Sequence, residues 1–337
     1  MTFPPVTAPR VAIIGGGLAG LTCARVLHHH GVDAQIFDKA RKPGGRLSTR
    51  HTDRGLTFDH GAQYFTIRNP WFRRALAPLV EAGTVARFRG RIAVAGPAGI
   101  EQAGPSTERW VGVPTMSALP RALAEGLSVH PHARIESLSR TGERWSLRAE
   151  DGRQWGGFDR VAITIPAGQA AALLTDLPAL QQVAATSPMR PCWAAMLTFD
   201  QPASAGYDAA FVQRSPLSWV MRQPSKPQRP PTEAWVLHAS PEWTEAHWDA
   251  EPSWVVDALV DAWRDRGGPD PSWVVDALAH RWRYALVDPQ AAPRALGDDR
   301  AGVTLAGDWL GGGRVEGAFL SGRRAAAGLL RSLRHAL

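Results

Sequence analysis

Apolar residues along this chain fall into short runs and helical stripes that alternate with turn residues. Val11-Ala-Ile-Ile14, bounded by Pro9 and Gly15, predicts a buried strand. Leu18 to His30 has helical spacing and stops at Gly31, a residue suited to closing a helix. Ala34-Gln-Ile-Phe37 predicts a second strand, ending in Asp38. Strand, Gly-rich turn, helix and strand within about thirty residues is the size of one βαβ unit.

Further along, the pattern turns helical over 71–82, and Pro, Gly and short apolar runs over 87–114 predict antiparallel strands and loops. A helix is expected from Thr115 or Ser117, then strands over 134–138, 145–149 and 160–165, then a helix over 167–173. Pro191–Phe199 and Ala234–Ala239 predict strands of a second sheet. The stretch Gln223–Pro231 between them is too Pro-rich for a sheet and is expected to be a surface connection. Val303-Thr-Leu-Ala306 predicts a last buried strand, followed by a helix from about Gly317. Pro-Ser-Trp-Val-Val-Asp-Ala-Leu occurs at 252–259 and again at 271–278. The flanks predict a helix for the first copy and a strand for the second, so that context overrides local propensity; no function is assigned to the repeat.

These segments predict an α/β fold: a discontinuous Rossmann-type domain from 1–68, 130–175 and 298–337, and an α+β substrate domain with an antiparallel sheet from 69–129 and 176–297. At 337 residues, two cores are the natural expectation. Hydrophobic content of 44% and charged content of 20% exclude a disordered tail or scaffold. The formal charge of +7 is scattered and forms no dense run, which argues against nucleic acid. Nearly all of it is arginine, the only lysines being Lys39, Lys42 and Lys226. Either an arginine-rich coding bias explains this, or some guanidinium groups serve an anionic dinucleotide substrate. Cys23 and Cys192 stand alone, so no disulfide framework or metal cluster is expected and a cytoplasmic location fits. The opening Met1 to Arg10 lacks a basic region before an apolar core, and no apolar run suits a membrane span, so neither export nor membrane insertion is expected. His28-His-His30, at a helix end, reads as a cationic C-cap rather than a metal site.

Gly15-Gly-Gly17-Leu18-Ala19-Gly20 lies between the first strand and helix, with Asp38 eighteen residues beyond Gly20. Gly15 permits the turn, Gly17 lets backbone approach a pyrophosphate, and Gly20 allows close helix–sheet packing. Asp38 can accept hydrogen bonds from ribose hydroxyls. Strand, spacing, helix and terminal acid together predict dinucleotide binding. Two further motifs favour FAD over NAD. Lys42-Pro-Gly44-Gly45-Arg46 is a second Gly-rich turn able to lay backbone and a guanidinium on the diphosphate. Gly307-Asp308 ends a strand, and Glu316-Gly317-Ala318 opens a helix whose N-terminus can face a flavin edge where negative charge develops. Lys39, Ala62, Gln63 and Ile135 complete the expected cofactor set.

The chain resembles the amine-oxidase-like FAD superfamily, and within it the bacterial renalase-like proteins. The resemblance rests on Gly15 to Gly20, Phe37-Asp-Lys-Ala40 with Gly44-Gly-Arg-Leu-Ser48, and Asp59-His-Gly-Ala-Gln-Tyr-Phe65. It continues in Arg109-Trp-Val-Gly112, Ala279-His-Arg-Trp282, Ala306-Gly-Asp-Trp309 and Gly313-Arg-Val-Glu-Gly-Ala318, spread over nearly the whole chain. It implies non-covalent FAD, oxidation of dihydronicotinamide isomers to NAD(P)+, and dioxygen as acceptor with release of hydrogen peroxide. A dihydropyridine donates hydride without first losing a proton, so no acid–base pair is needed. Many amine oxidases resemble one another in keeping a lysine near the flavin; Lys39 and Lys42 lie in the nucleotide segment and Lys226 in the Pro-rich loop, so none is expected there. Gln63, Tyr64, His238 and Trp282 are the candidate positioning residues, with Trp193, Tyr284 and Trp309 as further possible walls. The alternatives are an amine oxidase or desaturase of the same superfamily, a flavin-free binding protein similar to the GDP-dissociation inhibitors, and an NAD-dependent dehydrogenase. No oligomeric state is read from the sequence.

Overall fold

The computed structural model describes residues 8–53, 55–103, 107–288 and 297–334. The opening segment that bears on export lies largely outside these residues. The chain divides into two units, one of 1–45, 120–189 and 287–337, the other of 46–119 and 190–286.

In the first unit, the run Arg10–Ile14 is the strand that its apolar character predicts, with Val11, Ala12 and Ile13 wholly buried. It pairs in parallel with Asp33–Phe37 on one side and Arg160–Ile163 on the other. Ser128–His130, Val303–Leu305 and Gly297–Asp298 complete a six-stranded sheet, antiparallel only at its last pair. Strands buried on both faces read as continuous apolar runs, which is why Arg10–Ile14, Asp33–Phe37, Arg160–Ile163 and Val303–Leu305 were legible, whereas the more exposed Ser128–His130 and Gly297–Asp298 were not. The helix Leu18–His29 follows the first strand, and Val315–Arg334 packs against it. A three-stranded antiparallel sheet of Ile135–Thr141, Arg144–Ala149 and Gln154–Phe158 completes this unit.

The second unit is built on a seven-stranded sheet in the order Val274–Val287, Met189–Phe199, Ala234–Ala239, Leu217–Arg222, Ala209–Val212, Ile92–Gly96, Gly99–Gln102. From Met189–Phe199 to Gly99–Gln102 the neighbouring strands are antiparallel except Ala209–Val212 with Ile92–Gly96. The helix Pro252–Arg264 presents Val255, Leu259 and Trp263 to the core of this unit. There the Trp263 indole N–H donates to the Tyr207 hydroxyl at 2.9 Å, so a large ring is buried without an orphaned donor.

The octapeptide behaves as its flanks predict. The first copy opens the helix Pro252–Arg264, and the second forms a turn at Pro271–Trp273 and runs into the strand Val274–Val287. Among the described residues no helix is long and apolar enough to cross a membrane.

Candidate active site and cofactor cradle

The first unit holds a dinucleotide cradle. The helix Leu18–His29 starts at Gly17 with no side-chain cap and no acid in its first turn. Leu18, Ala19 and Gly20 are buried there, so first-turn N–H groups need an acceptor from outside the helix. A Cβ on Gly20 would stand 2.0 Å from the Gly15 carbonyl oxygen, so only glycine fits that position. At Gly17 an added Cβ would meet nothing within 4 Å, which marks the open side of the turn. Asp38 accepts from the Gly16 N–H at 2.5 Å and the Ala40 N–H at 2.7 Å, one on each carboxylate oxygen. Each oxygen keeps a further lone-pair direction, which is what a ribose diol requires. Burial raises the Asp38 pKa, and the two amide bonds oppose that rise.

Gly44 donates its N–H to the Gly16 carbonyl at 2.8 Å, and a Cβ added at Gly45 would stand 3.7 Å from the Gly17 Cα, so the second Gly-rich turn is laid along the first. Lys39 is exposed beside a cleft of about 660 Å³ lined also by His132, Arg134 and Glu150. Ile135 is a core residue, paired with Ala149. Gly307 donates to the Ser321 hydroxyl at 3.1 Å, and the carbonyl of buried Asp308 receives the Gly311 and Gly313 N–H groups. Glu316, Gly317 and Ala318 form the first turn of Val315–Arg334. Uncapped amides, an acid at the end of the second strand and a closed Gly-Asp turn form a donor set that fits a dinucleotide.

The second unit holds a buried ionic cluster. Asp59 has a fully buried side chain and lies between Lys226, also fully buried, and Arg229, whose side chain is 2% exposed. Its Oδ2 accepts from Lys226 Nζ at 2.9 Å and from Arg229. Its Oδ1 accepts from the Thr49 hydroxyl at 2.7 Å and the Met116 N–H at 3.0 Å. Burial raises the Asp59 pKa, but the two cations and the bonds from Lys226 and Thr49 overcome it and hold the carboxyl below its usual value. Burial pulls Lys226 down to about 8, against the pull of Asp59. Lys226 also donates to Gln63 Oε1 at 3.0 Å and Gln223 Oε1 at 3.4 Å. Its three ammonium protons therefore meet three protein acceptors. Gln63 in turn donates to the Asp59 carbonyl and accepts from Gln223 Nε2 at 3.1 Å.

These contacts correct the expectation that Gln223–Pro231 is a surface connection holding an uninvolved lysine. Gln223 and Lys226 are each 2% exposed. A single 3-10 turn at Gln223–Ser225 and the pull of a buried carboxylate draw the loop inward. Arg222 clasps Glu233 through Nε at 2.8 Å and closes the base of the loop. The sequence separation of 167 residues hid the Asp59–Lys226 pair. The available signal was compositional: a lysine kept in a chain whose cations are otherwise almost all arginine.

Beside this cluster stand three histidines and an indole. His238 donates through Nε2–H to the His60 carbonyl, 3.1 Å away, and the Trp282 indole N–H donates to the same oxygen at 3.0 Å. The Trp282 ring stacks on His60 with centroids 5.0 Å apart, and His280 meets both edge-on. Burial lowers His60 to about 3, helped by His280, His238 and Arg50, and lowers His238 to about 4. Both imidazoles are therefore neutral at physiological pH. Of the four sequence candidates, His238 and Trp282 meet at His60, and Gln63 is tied to the ionic cluster through Asp59. Tyr64 instead packs near Trp219 with Arg109 over its ring, 5.1 Å from the centroid.

At Gly61 the missing Cβ makes room for the chain itself: a Cβ would stand 2.1 Å from the Arg46 carbonyl, which also accepts the Ala62 N–H at 2.9 Å. The Arg46 guanidinium donates to the Ala285 carbonyl at 3.0 Å. Trp193 and Trp309 are packing residues, their indoles donating to His247 and Ile165 carbonyls respectively. Tyr284 lies half-buried on the long strand Val274–Val287. Among the described residues no His, Cys, Asp and Glu group is arranged to hold a metal.

A Rossmann-type cradle in one unit and an antiparallel sheet with a buried polar cluster in the other define a two-part dinucleotide-binding protein. Comparison with known proteins makes the class specific. The family described as flavin containing amine oxidoreductase matches residues 91–330, and an NAD(P)-binding Rossmann-like domain matches 13–79. The chain belongs to the flavin containing amine oxidoreductase family, and its cofactor is FAD.

Among curated relatives, it is 41% identical over 64 residues to hydroxyneurosporene desaturase of Rubrivivax gelatinosus, covering 19% of this chain. It is 42% identical over 60 residues to mitochondrial protoporphyrinogen oxidase of Nicotiana tabacum, covering 18% of this chain. The chain spans 12% of the length of each of these two relatives. A wild-type putrescine oxidase solved with putrescine bound matches with a TM-score of 0.72 over 96% of this chain and 99% of that one. At 13% identity that likeness shows the fold alone.

Proposed function

We propose that this protein is an FAD-dependent oxidase of dihydronicotinamide isomers, returning them to NAD(P)+ and passing the electrons to dioxygen. The cofactor domain in this reading is 1–68, 130–175 and 298–337, and the remainder serves the substrate. The observation that carries it is the saturation of Lys226: with Asp59, Gln63 and Gln223 as acceptors, the ammonium holds no proton in reserve for a bridging water. An amine donor has to lose a proton before it is oxidised, whereas a dihydropyridine does not.

In this reading the amides after Gly17 hold the diphosphate and Asp38 the ribose hydroxyls. When bound, FAD accepts the hydride and reduces dioxygen to hydrogen peroxide. Asp59 and Lys226 fix the Gln63 amide, and so the segment 59–65, at the cost of burying three charged groups. Trp282, locked by its bond to the His60 carbonyl, offers a flat apolar ring for a planar substrate. His60 and His238, held neutral, add no positive charge that would repel the cationic NAD(P)+ product. Dioxygen uptake with the 2-dihydro and 6-dihydro isomers, with ordinary NADH and with putrescine tests this directly. Rapid uptake with an isomer and equimolar hydrogen peroxide supports it; uptake with putrescine alone contradicts it.

A second reading, an amine oxidase or desaturase, is favoured by the burial of Lys226, which removes the ground for dismissing that residue as a surface group.

A further inference from the structure

The second unit carries a cleft of about 480 Å³ to which neither the cofactor nor the buried cluster lays claim. That volume falls in the ~300–1,000 Å³ range of ligand sites. Arg87, Arg89 and Arg109 line it against a single carboxylate, Glu108. Glu108 is committed to Arg87 at 2.6 Å. Arg89 is exposed and has no ion pair among the described residues. The Arg109 guanidinium lies over the rings of Tyr64 and Phe211, at 5.1 and 5.7 Å from their centroids. The Arg87 guanidinium lies over Trp110 at 5.3 Å. Stacking holds these groups in place before any ligand arrives, so less side-chain freedom is lost on binding.

The surroundings also carry donors in excess. The indole nitrogens of Trp110 and Trp219 are buried and have no acceptor among the described residues. Trp110 lies under Arg87, and Trp219 packs on Tyr64 and Phe211, the two rings that hold Arg109. The exposed Arg89 guanidinium, beside two stacked guanidinium groups backed by unsatisfied indole N–H groups, matches an acceptor-rich anion, and guanidinium forks fit phosphate oxygens. Tyr64 adjoins Gln63, so one of the rings under Arg109 belongs to the segment that the buried cluster fixes.

We infer that this cleft is a phosphate subsite that takes the diphosphate portion of a dinucleotide substrate. The inference rests on the dinucleotide reading given above for the ligand, and on the cleft alone for the anion. The test uses protein saturated with FAD, so that the Rossmann cradle is filled, with ADP as the probe in isothermal titration calorimetry. ADP should bind, more tightly than adenosine and more tightly than inorganic phosphate. Arg89→Glu should weaken it roughly 10- to 100-fold, the range of a charged hydrogen-bonded contact. Arg89→Ala should weaken it less, with the flavin spectrum and circular dichroism unchanged in both.

ADP binding that ignores both substitutions overturns the subsite, even if the protein oxidises dihydronicotinamides. Inorganic phosphate binding as tightly as ADP overturns the dinucleotide assignment and leaves a general anion site. ADP binding that is lost in Arg89→Glu, in a protein that oxidises only amines, keeps the subsite and refutes the substrate reading.

Discussion

Replacing Asp59 by Asn removes the one negative charge in a cluster that holds two buried cations. The Lys226 ammonium stands 2.9 Å from the carboxylate with no solvent access. At that separation and an effective dielectric near 20, the Coulomb attraction is roughly 6 kcal/mol, most of which offsets desolvation rather than adding net stability. Removing one partner of such a pair leaves an uncompensated charge and costs about 3–5 kcal/mol. At about 2–4 °C per kcal/mol for a large domain, Tm should fall by roughly 6–20 °C.

Thermal and denaturant unfolding of the FAD-saturated protein measure this, and two features separate it from loss of packing. Adding Lys226→Met should restore part of the loss, because the stranded ammonium goes with it. The deficit should also shrink at high pH. Without Asp59 the folded-state pKa of Lys226 drops below its present value of about 8, while the unfolded value stays near 10.5. The variant's folded state then sheds this proton at a lower pH than the wild type does, so its stability begins to rise earlier and the deficit shrinks as pH climbs to about 8. A Tm change under about 2 °C, equivalent to at most about 1 kcal/mol, would refute the reasoning. So would a double variant less stable than Asp59→Asn.

Acid should destabilise the protein early. His60 and His238 have folded pKa values of about 3 and 4 against 6.5 unfolded, so their neutral forms contribute stability above 6.5. That contribution is lost as pH falls through 6.5 toward 4, at about 1.4 kcal/mol per unit for each histidine; urea midpoints measured across this range should fall, and a flat profile counts against buried neutral imidazoles. Gly20→Ala places a methyl against the Gly15 carbonyl and should cost about 1–3 kcal/mol, with FAD content after purification falling sharply. Asp38→Ala strands the Gly16 and Ala40 amides and the ribose contact together, so the FAD dissociation constant, followed by flavin fluorescence, should rise at least about tenfold; unchanged affinity would remove Asp38 from the cradle.

The cradle was legible in the sequence because its parts are local. Strand, turn, helix and Asp38 lie within one short stretch, and each glycine has a backbone reason that spacing alone conveys. The helical fate of Pro252–Leu259 and the extended fate of its second copy were legible from their flanks, Asp261-Ala-Trp-Arg264 against Ala279-His-Arg-Trp282. The ionic cluster was not. Asp59 was visible inside a motif, but its partners come from a Pro-rich loop whose composition reads as surface, and burial of a cation cannot be read without its counter-charge. The helix Pro178–Ala185 and the strand Gln154–Phe158 also escaped notice, the latter because Gly156 and Gly157 interrupt its apolar alternation. Gly61 shows a third limit: it stands inside a motif, but the neighbour that leaves no room for a Cβ there, the Arg46 carbonyl, was not readable.

The central claim is that the bound flavin takes hydride from a dihydronicotinamide isomer without help from a free base. Anaerobic stopped-flow tests it most directly, mixing the FAD-loaded protein with the 2-dihydro isomer, the 6-dihydro isomer, ordinary NADH and simple amines while flavin absorbance is followed. The account predicts fast bleaching by at least one isomer, little by NADH, and none by amines. Fast bleaching by amines alone would contradict it.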